Sequence, residues 1–130
     1  QGSEIKESFE KMKAFNPDLI FTHQYSDLHQ DHKQISELTY NTFRNHLVLE
    51  YEIPKYDGDL GSPNVFSPID KKLYNQKIEL IISSFKSQEH NQWFSESTFQ
   101  AILRLRGIES NSPTGYAEAF YCKKIVINSD

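Results

Sequence analysis

The twelve residues from Phe21 to His32 read FTHQYSDLHQDH and set three histidines, His23, His29 and His32, among two aspartates, Asp27 and Asp31. Imidazole is the commonest protein ligand for first-row metals, and a carboxylate can join it or orient its ring. His29 and His32 are three residues apart, so both side chains turn to one side if a helix begins there. One can then hold a metal while the other acts on a substrate. The plain alternative is a polar surface loop in which Asp31 caps a helix. The position of the cluster, directly behind the apolar run Leu19-Ile20-Phe21, favours chemistry, because ligands of open α/β sheets bind outside the carboxyl ends of strands.

The elements that must position this loop follow from periodicity. Ile5, Phe9 and Met12 share one face of an amphipathic helix, which Asn16-Pro17-Asp18 breaks. Leu19-Ile20-Phe21, apolar without alternation, reads as a central parallel strand covered on both faces. Asp31, with Gln34 three residues on, reads as a helix start. Ile35, Leu38, Thr39 and Phe43 continue that helix, and the strand formers between His46 and Ile53 complete a βαβ unit. A Gly/Pro/Asp loop is expected from Tyr56 to Asn64, then a short strand at Val65-Phe66. Asp70 is placed to cap a helix whose apolar face is Tyr74, Ile78, Ile81, Ile82 and Phe85. A polar loop spans Ser87 to Ser95. A last helix carries Phe99, Ile102 and Leu103 and stops at Gly107 as its C′ residue. Phe120 to Ile127 reads as the final strand. The fold class is α/β, a Rossmann-like three-layer α/β/α arrangement with a mainly parallel sheet.

Composition narrows the function classes. Hydrophobic residues at 37% and charged residues at 25% describe a folded globular chain rather than a disordered one. The net charge of −4 offers no basic excess for a phosphate backbone, so nucleic acid is excluded as the main partner. No apolar run reaches the roughly 18 residues of a membrane span. The lone Cys122 permits no intrachain disulfide and suits a reducing, cytoplasmic setting. Gln1-Gly2-Ser3 reads as the remnant of a cleaved tag.

The order NPDLIFTH, DLHQDH and then an amphipathic helix resembles the PIG-L/LmbE-like zinc-dependent N-acetylglucosamine deacetylases. LEYEIP (Leu49 to Pro54) stands where that family has its next strand. SFKSQ, ending at Gln88, resembles its Ser-Gln helix end, and Arg106-Gly107 with YAEAF (Tyr116 to Phe120) resembles its C-terminal signature. The resemblance runs from about Ile5 to Ile127. It implies that His32 is a zinc ligand, that His29 stabilises the tetrahedral intermediate and protonates the leaving amine, and that Asp31 holds the His29 ring. It leaves Asp27, His23, Arg106 and Glu118 as substrate-binding or bracing residues. For Glu118 an ion pair with Arg104 or Arg106 is an equal alternative, and for Trp93 stacking on a sugar competes with covering the core. The implied substrate is an N-acetylated sugar, sugar nucleotide or glycolipid.

The family's opening A-H-P-D-D-E motif, source of two metal ligands and the general base, is absent from this chain. The resemblance therefore implies that residues 4–130 are the C-terminal part of one such domain, truncated at its N-terminus. Such a piece is expected to be inactive alone, to lack zinc ligands and to self-associate through an unpaired sheet edge. The competing reading is a non-catalytic module of the same fold that binds a sugar or a protein partner.

Overall fold

The computed structural model describes residues 2–54 and 60–128, so part of the loop expected from Tyr56 to Asn64 lies outside the described residues. In chain order the elements are α1 (Gly2–Met12), β1 (Leu19–Thr22), α2 (Gln30–Thr42), β2 (Leu47–Tyr51), β3 (Val65–Pro68), α3 (Lys71–Ser84), α4 (Glu96–Glu109) and β4 (Ala117–Tyr121), with short 3₁₀ turns at Lys13–Phe15 and Lys86–Gln88. The class is α/β. The strand order is β1-β2-β4-β3. β1 and β2 are parallel, and β4 runs antiparallel to β2, so the sheet is mixed. The chain forms two compact units, Gln1–Glu52 with Phe120–Asp130, and Ile53–Ala119.

In the first unit, α1 and its 3₁₀ extension end where Asn16 takes a left-handed conformation, φ 43°, and returns its N–H to the Lys13 carbonyl. Pro17 then cannot continue the helix. β1, α2 and β2 form the expected βαβ crossover, with Leu19 opposite Leu47 and Thr22 opposite Glu50. The side chains of β2 alternate, so Val48 and Glu50 share one face and Leu49 and Tyr51 the other.

Two expectations need correction here. Among the described residues β1 stands at one end of the four-stranded sheet rather than between two strands, with Leu19 40% and Phe21 53% exposed. An apolar run cannot by itself report how many neighbours a strand has. Its buried residue is Thr22, which meets Thr39 of α2, hydroxyl to hydroxyl, at 2.9 Å. Thr39 spends its own proton on the Ile35 carbonyl at 2.8 Å, so Thr22 is the donor in that pair. The buried residues of α2 are Ser36, Thr39 and Thr42 rather than an aliphatic stripe. The final strand is also shifted. It occupies Ala117–Tyr121, while Ile125, Val126 and Ile127 are exposed and lie beyond it.

In the second unit Asp70 caps α3 as expected, its Oδ1 accepting the Leu73 N–H at 2.8 Å. Ile69, Tyr74, Ile78, Phe99 and Leu103 form the core, and Trp93 packs against it with Phe94. Trp93 is thus a core cover. Gly107 does not end α4, which continues to Glu109 with Ser110 as C-cap. The chain turns back through Asn111 (φ 52°) and Gly115 (φ 84°), and the Gly115 carbonyl comes against Gly107 so closely that a Cβ would collide with backbone. The same carbonyl accepts from Arg104 Nη1 at 2.9 Å. Gly107 therefore serves a close approach rather than a stop.

Helix propensity alone would make Gly107→Ala stabilising by about 1 kcal/mol. The collision with Gly115 reverses the sign, and we expect a loss of about 3 kcal/mol or more in urea unfolding. A gain in stability would show that the two segments are free to separate.

Candidate metal centre

The loop between β1 and α2 leaves the carboxyl end of β1 and carries His23 through His29. Its organiser is Asp27, 4% exposed. Asp27 Oδ1 accepts the His29 backbone N–H at 2.8 Å, and Oδ2 lies 3.0 Å from His32 Nδ1. A carboxylate only accepts, so Nδ1 of His32 carries the proton and its Nε2 keeps a lone pair. Metal-binding histidines are commonly braced in this way, with the far nitrogen held by a carboxylate.

The N-cap of α2 is His29, not Asp31. Its backbone is extended (φ −70°, ψ 125°) and its Nδ1 accepts the Asp31 N–H at 3.3 Å. The cap position requires a side-chain acceptor reaching the N–H of the second or third helical residue. Asp27 has already fixed the His29 N–H, so the ring falls there. Asp31 sits one residue into the helix, exposed, and touches His29 through its backbone rather than its carboxylate. An accepting Nδ1 puts the proton of the neutral His29 ring on Nε2, on an exposed side chain.

His23 joins the group from the start of the loop. Its ring stacks on His32 with centroids 3.9 Å apart and planes 2° from parallel, and the His29 ring stacks on His32 at 4.2 Å. Tyr51 of β2 places its hydroxyl 3.2 Å from His23 Nε2. Burial first, then the Asp27 charge, raises the Tyr51 pKa, which keeps that phenol neutral. His23, Asp27 and His32 offer three ligand atoms within 4.8 Å of one another. Donors on a tetrahedral zinc with bonds of about 2.1 Å stand about 3.4 Å apart. His23 and His32 are donors of the kind zinc takes, and Asp27, whose Oδ2 meets Nδ1 of His32, would brace that ring while an ion sits on its Nε2. His29 is outside this group.

A second buried carboxylate holds the loop from β2. Glu50, 4% exposed, accepts the Tyr25 backbone N–H on Oε1 at 2.8 Å and the Tyr40 hydroxyl on Oε2. Burial, then the bond to Glu50 and its charge, raise the Tyr40 pKa well above the usual phenol value.

The other candidate residues lie in the second unit. Arg106, 5% exposed, donates to Glu109 at 2.7 Å and to the Leu60 carbonyl. Glu118 pairs with Lys77, which replaces the expected pairing with Arg104 or Arg106. Gln88 accepts from Asn91 Nδ2 at 2.8 Å in the turn after α3.

No protein-family model matches the chain, and no curated protein matches it. Solved structures do. A triple mutant of a deacetylase of the teicoplanin biosynthetic pathway superposes with a TM-score of 0.67 at 22% identity, covering 99% of this chain and 59% of that one. The zinc-inhibited form of a teicoplanin deacetylase gives 0.66 at 19% identity, over 99% of this chain and 53% of that one. The A40926 pseudoaglycone deacetylase gives 0.65 at 20%, over 98% and 58%. The fold is that of these deacetylases. The chain spans between 53% and 59% of their length.

Two measurements test this geometry. In zinc titration calorimetry, Asp27→Asn is expected to weaken binding by about 10–100-fold and His32→Ala to abolish it. His29→Asn keeps a capping side chain and should leave affinity within about threefold; a loss equal to that of His32→Ala would put His29 among the ligands. For Tyr40, the folded state holds the proton more tightly than the unfolded chain. Its contribution is therefore complete below pH ~10 and is lost as pH rises further. Tyr40→Phe should cost about 1–2 kcal/mol at neutral pH and flatten the fall in stability above pH ~10; an unchanged alkaline slope would count against the Tyr40–Glu50 bond.

Proposed function

We propose that this chain forms part of a zinc-dependent N-deacetylase acting on a glucosamine-type sugar, sugar nucleotide or glycolipid. The observation that carries the proposal is the pairing of a braced histidine, His32 held by Asp27, with an exposed histidine, His29, whose Nε2 bears the proton. The deacetylase fold and the order of DLHQDH, SFKSQ and YAEAF along the chain support it. Zinc, when bound, supplies a Lewis acid that polarises the acetamide carbonyl and makes water acidic enough to attack at neutral pH.

The chain's own residues do the rest. Asp27 fixes the tautomer of His32 and, through the His29 N–H, the start of α2. Tyr51 holds His23 beside His32. His29 Nε2–H first donates to the developing oxyanion. To act as the acid the ring must first take a second proton, on Nδ1, which releases its bond to the Asp31 N–H. The imidazolium then gives its Nε2 proton to the amide nitrogen as the C–N bond breaks and is left neutral, because an amine leaves poorly without one. Asp31 keeps its carboxylate in the first turn of α2, where a negative charge suits the helix N-terminus. Further ligands and the general base come from outside this chain.

The second reading, a sugar- or partner-binding module without catalysis, draws on the 4.8 Å spread of the donor atoms, wider than a zinc shell. Acetate release from N-acetylglucosamine conjugates by the full-length protein decides between them. The deacetylase reading expects His29→Asn to lower kcat by about 10²–10⁴-fold with zinc retained. Turnover that persists unchanged in both His29→Asn and His32→Ala would overturn it, and a zinc-loaded protein inert towards every such conjugate would support the binding module.

A further inference from the structure

A cavity of about 420 Å³ lies within the first unit, bounded by the C-terminal end of α2, β2 and the segment after β4. Small-molecule sites run from roughly 300 to 1,000 Å³. The walls include the rings of Tyr25, Tyr40 and Phe43. The charged side chains in them, Arg44, Lys123 and Lys124, are all positive, in a chain whose net charge is −4. Among the described residues none of the three has a carboxylate partner.

The cations are held in place by other means. Lys123 Nζ sits 3.8 Å from the centre of the Tyr25 ring and 5.3 Å from that of Tyr40, and those rings meet edge to face at 5.9 Å. Lys124 Nζ donates to the Arg44 carbonyl at 2.8 Å. That bond offsets part of the negative end of α2, which would otherwise oppose an anion. His46 also lines the cavity. Glu50, on the same face of β2 as Val48, is not part of the wall, and its oxygens are taken by Tyr25 and Tyr40.

We propose that this cavity binds a small organic oxyanion carried on a ring, a phosphate monoester or a carboxylate. The charge lies between Arg44 and Lys123, and the ring lies against Tyr25, Tyr40 and Phe43. The site is distinct from the metal centre, since β2 turns Val48 and Glu50 to one face and Tyr51, which meets His23, to the other. The two share the loop that carries Tyr25, His23 and Asp27. The proposal stands whether or not the protein is a deacetylase.

Titration calorimetry with phenyl phosphate, benzoate and phenol tests it. At least one ring anion is expected to bind one to one below about 1 mM, with phenol at least about tenfold weaker. Arg44→Gln and Lys123→Gln should each weaken that anion about tenfold or more, and His32→Asn should leave it unchanged. Arg44→Lys keeps the charge but loses the guanidinium fork, and is expected to fall between wild type and Arg44→Gln. The tighter of the two anions identifies the head group as phosphate or carboxylate. Binding of neither anion, phenol binding as well as the anions, or folded Arg44 and Lys123 variants that bind normally would each overturn the proposal.

Discussion

The carboxylate of Asp27 is the constraint from which the geometry of the loop follows. A buried charge is tolerated only when hydrogen bonds replace the water it has lost. Asp27 finds them in the His29 N–H and in His32 Nδ1, two and five residues further on. The first sets where α2 begins and so turns the His29 ring into its cap. The second fixes the tautomer and the plane of His32. One side chain thereby assigns different jobs to two histidines three residues apart, one with a free lone pair and one with an outward N–H.

β2 supplies the complementary restraint by means of its pleat. Tyr51 on one face reaches His23, and Glu50 on the other accepts from the Tyr25 backbone and the Tyr40 hydroxyl. The start of the loop is thus held by two neighbours on a single strand. A ligand against Tyr25 would press on the segment that carries His23 and Asp27, so the anion cavity and the metal centre share a mechanical element although they use opposite faces of β2.

Local preference and tertiary contact disagree in two places. Gly107 has the identity of a helix stop, but the close return of the chain at Gly115 makes the missing Cβ a packing requirement inside α4. Leu19-Ile20-Phe21 has the apolarity of a central strand but stands at one end of the sheet among the described residues. Its helix contact is made by the polar Thr22–Thr39 pair, a satisfied hydroxyl couple that no hydrophobicity pattern signals.

The βαβ unit, the Asp70 cap, the loop behind β1 and the meeting of the His29 and His32 rings were legible in the sequence, because each depends on residues close together along the chain. A 3.6-residue stripe, a capping side chain and a three-residue histidine spacing are local facts. His23 was underrated because its partners are nine residues away at His32 and across the sheet at Tyr51, and nothing in its own surroundings announces them. The cap at His29 in place of Asp31 depended on which backbone N–H Asp27 would claim. The pocket of Arg44 and Lys123 joins residues far apart in the chain. Residue types and short spacings thus determined which side chains were available for chemistry; only the folded chain, by pairing buried charges with the donors they require, decided which of them meet.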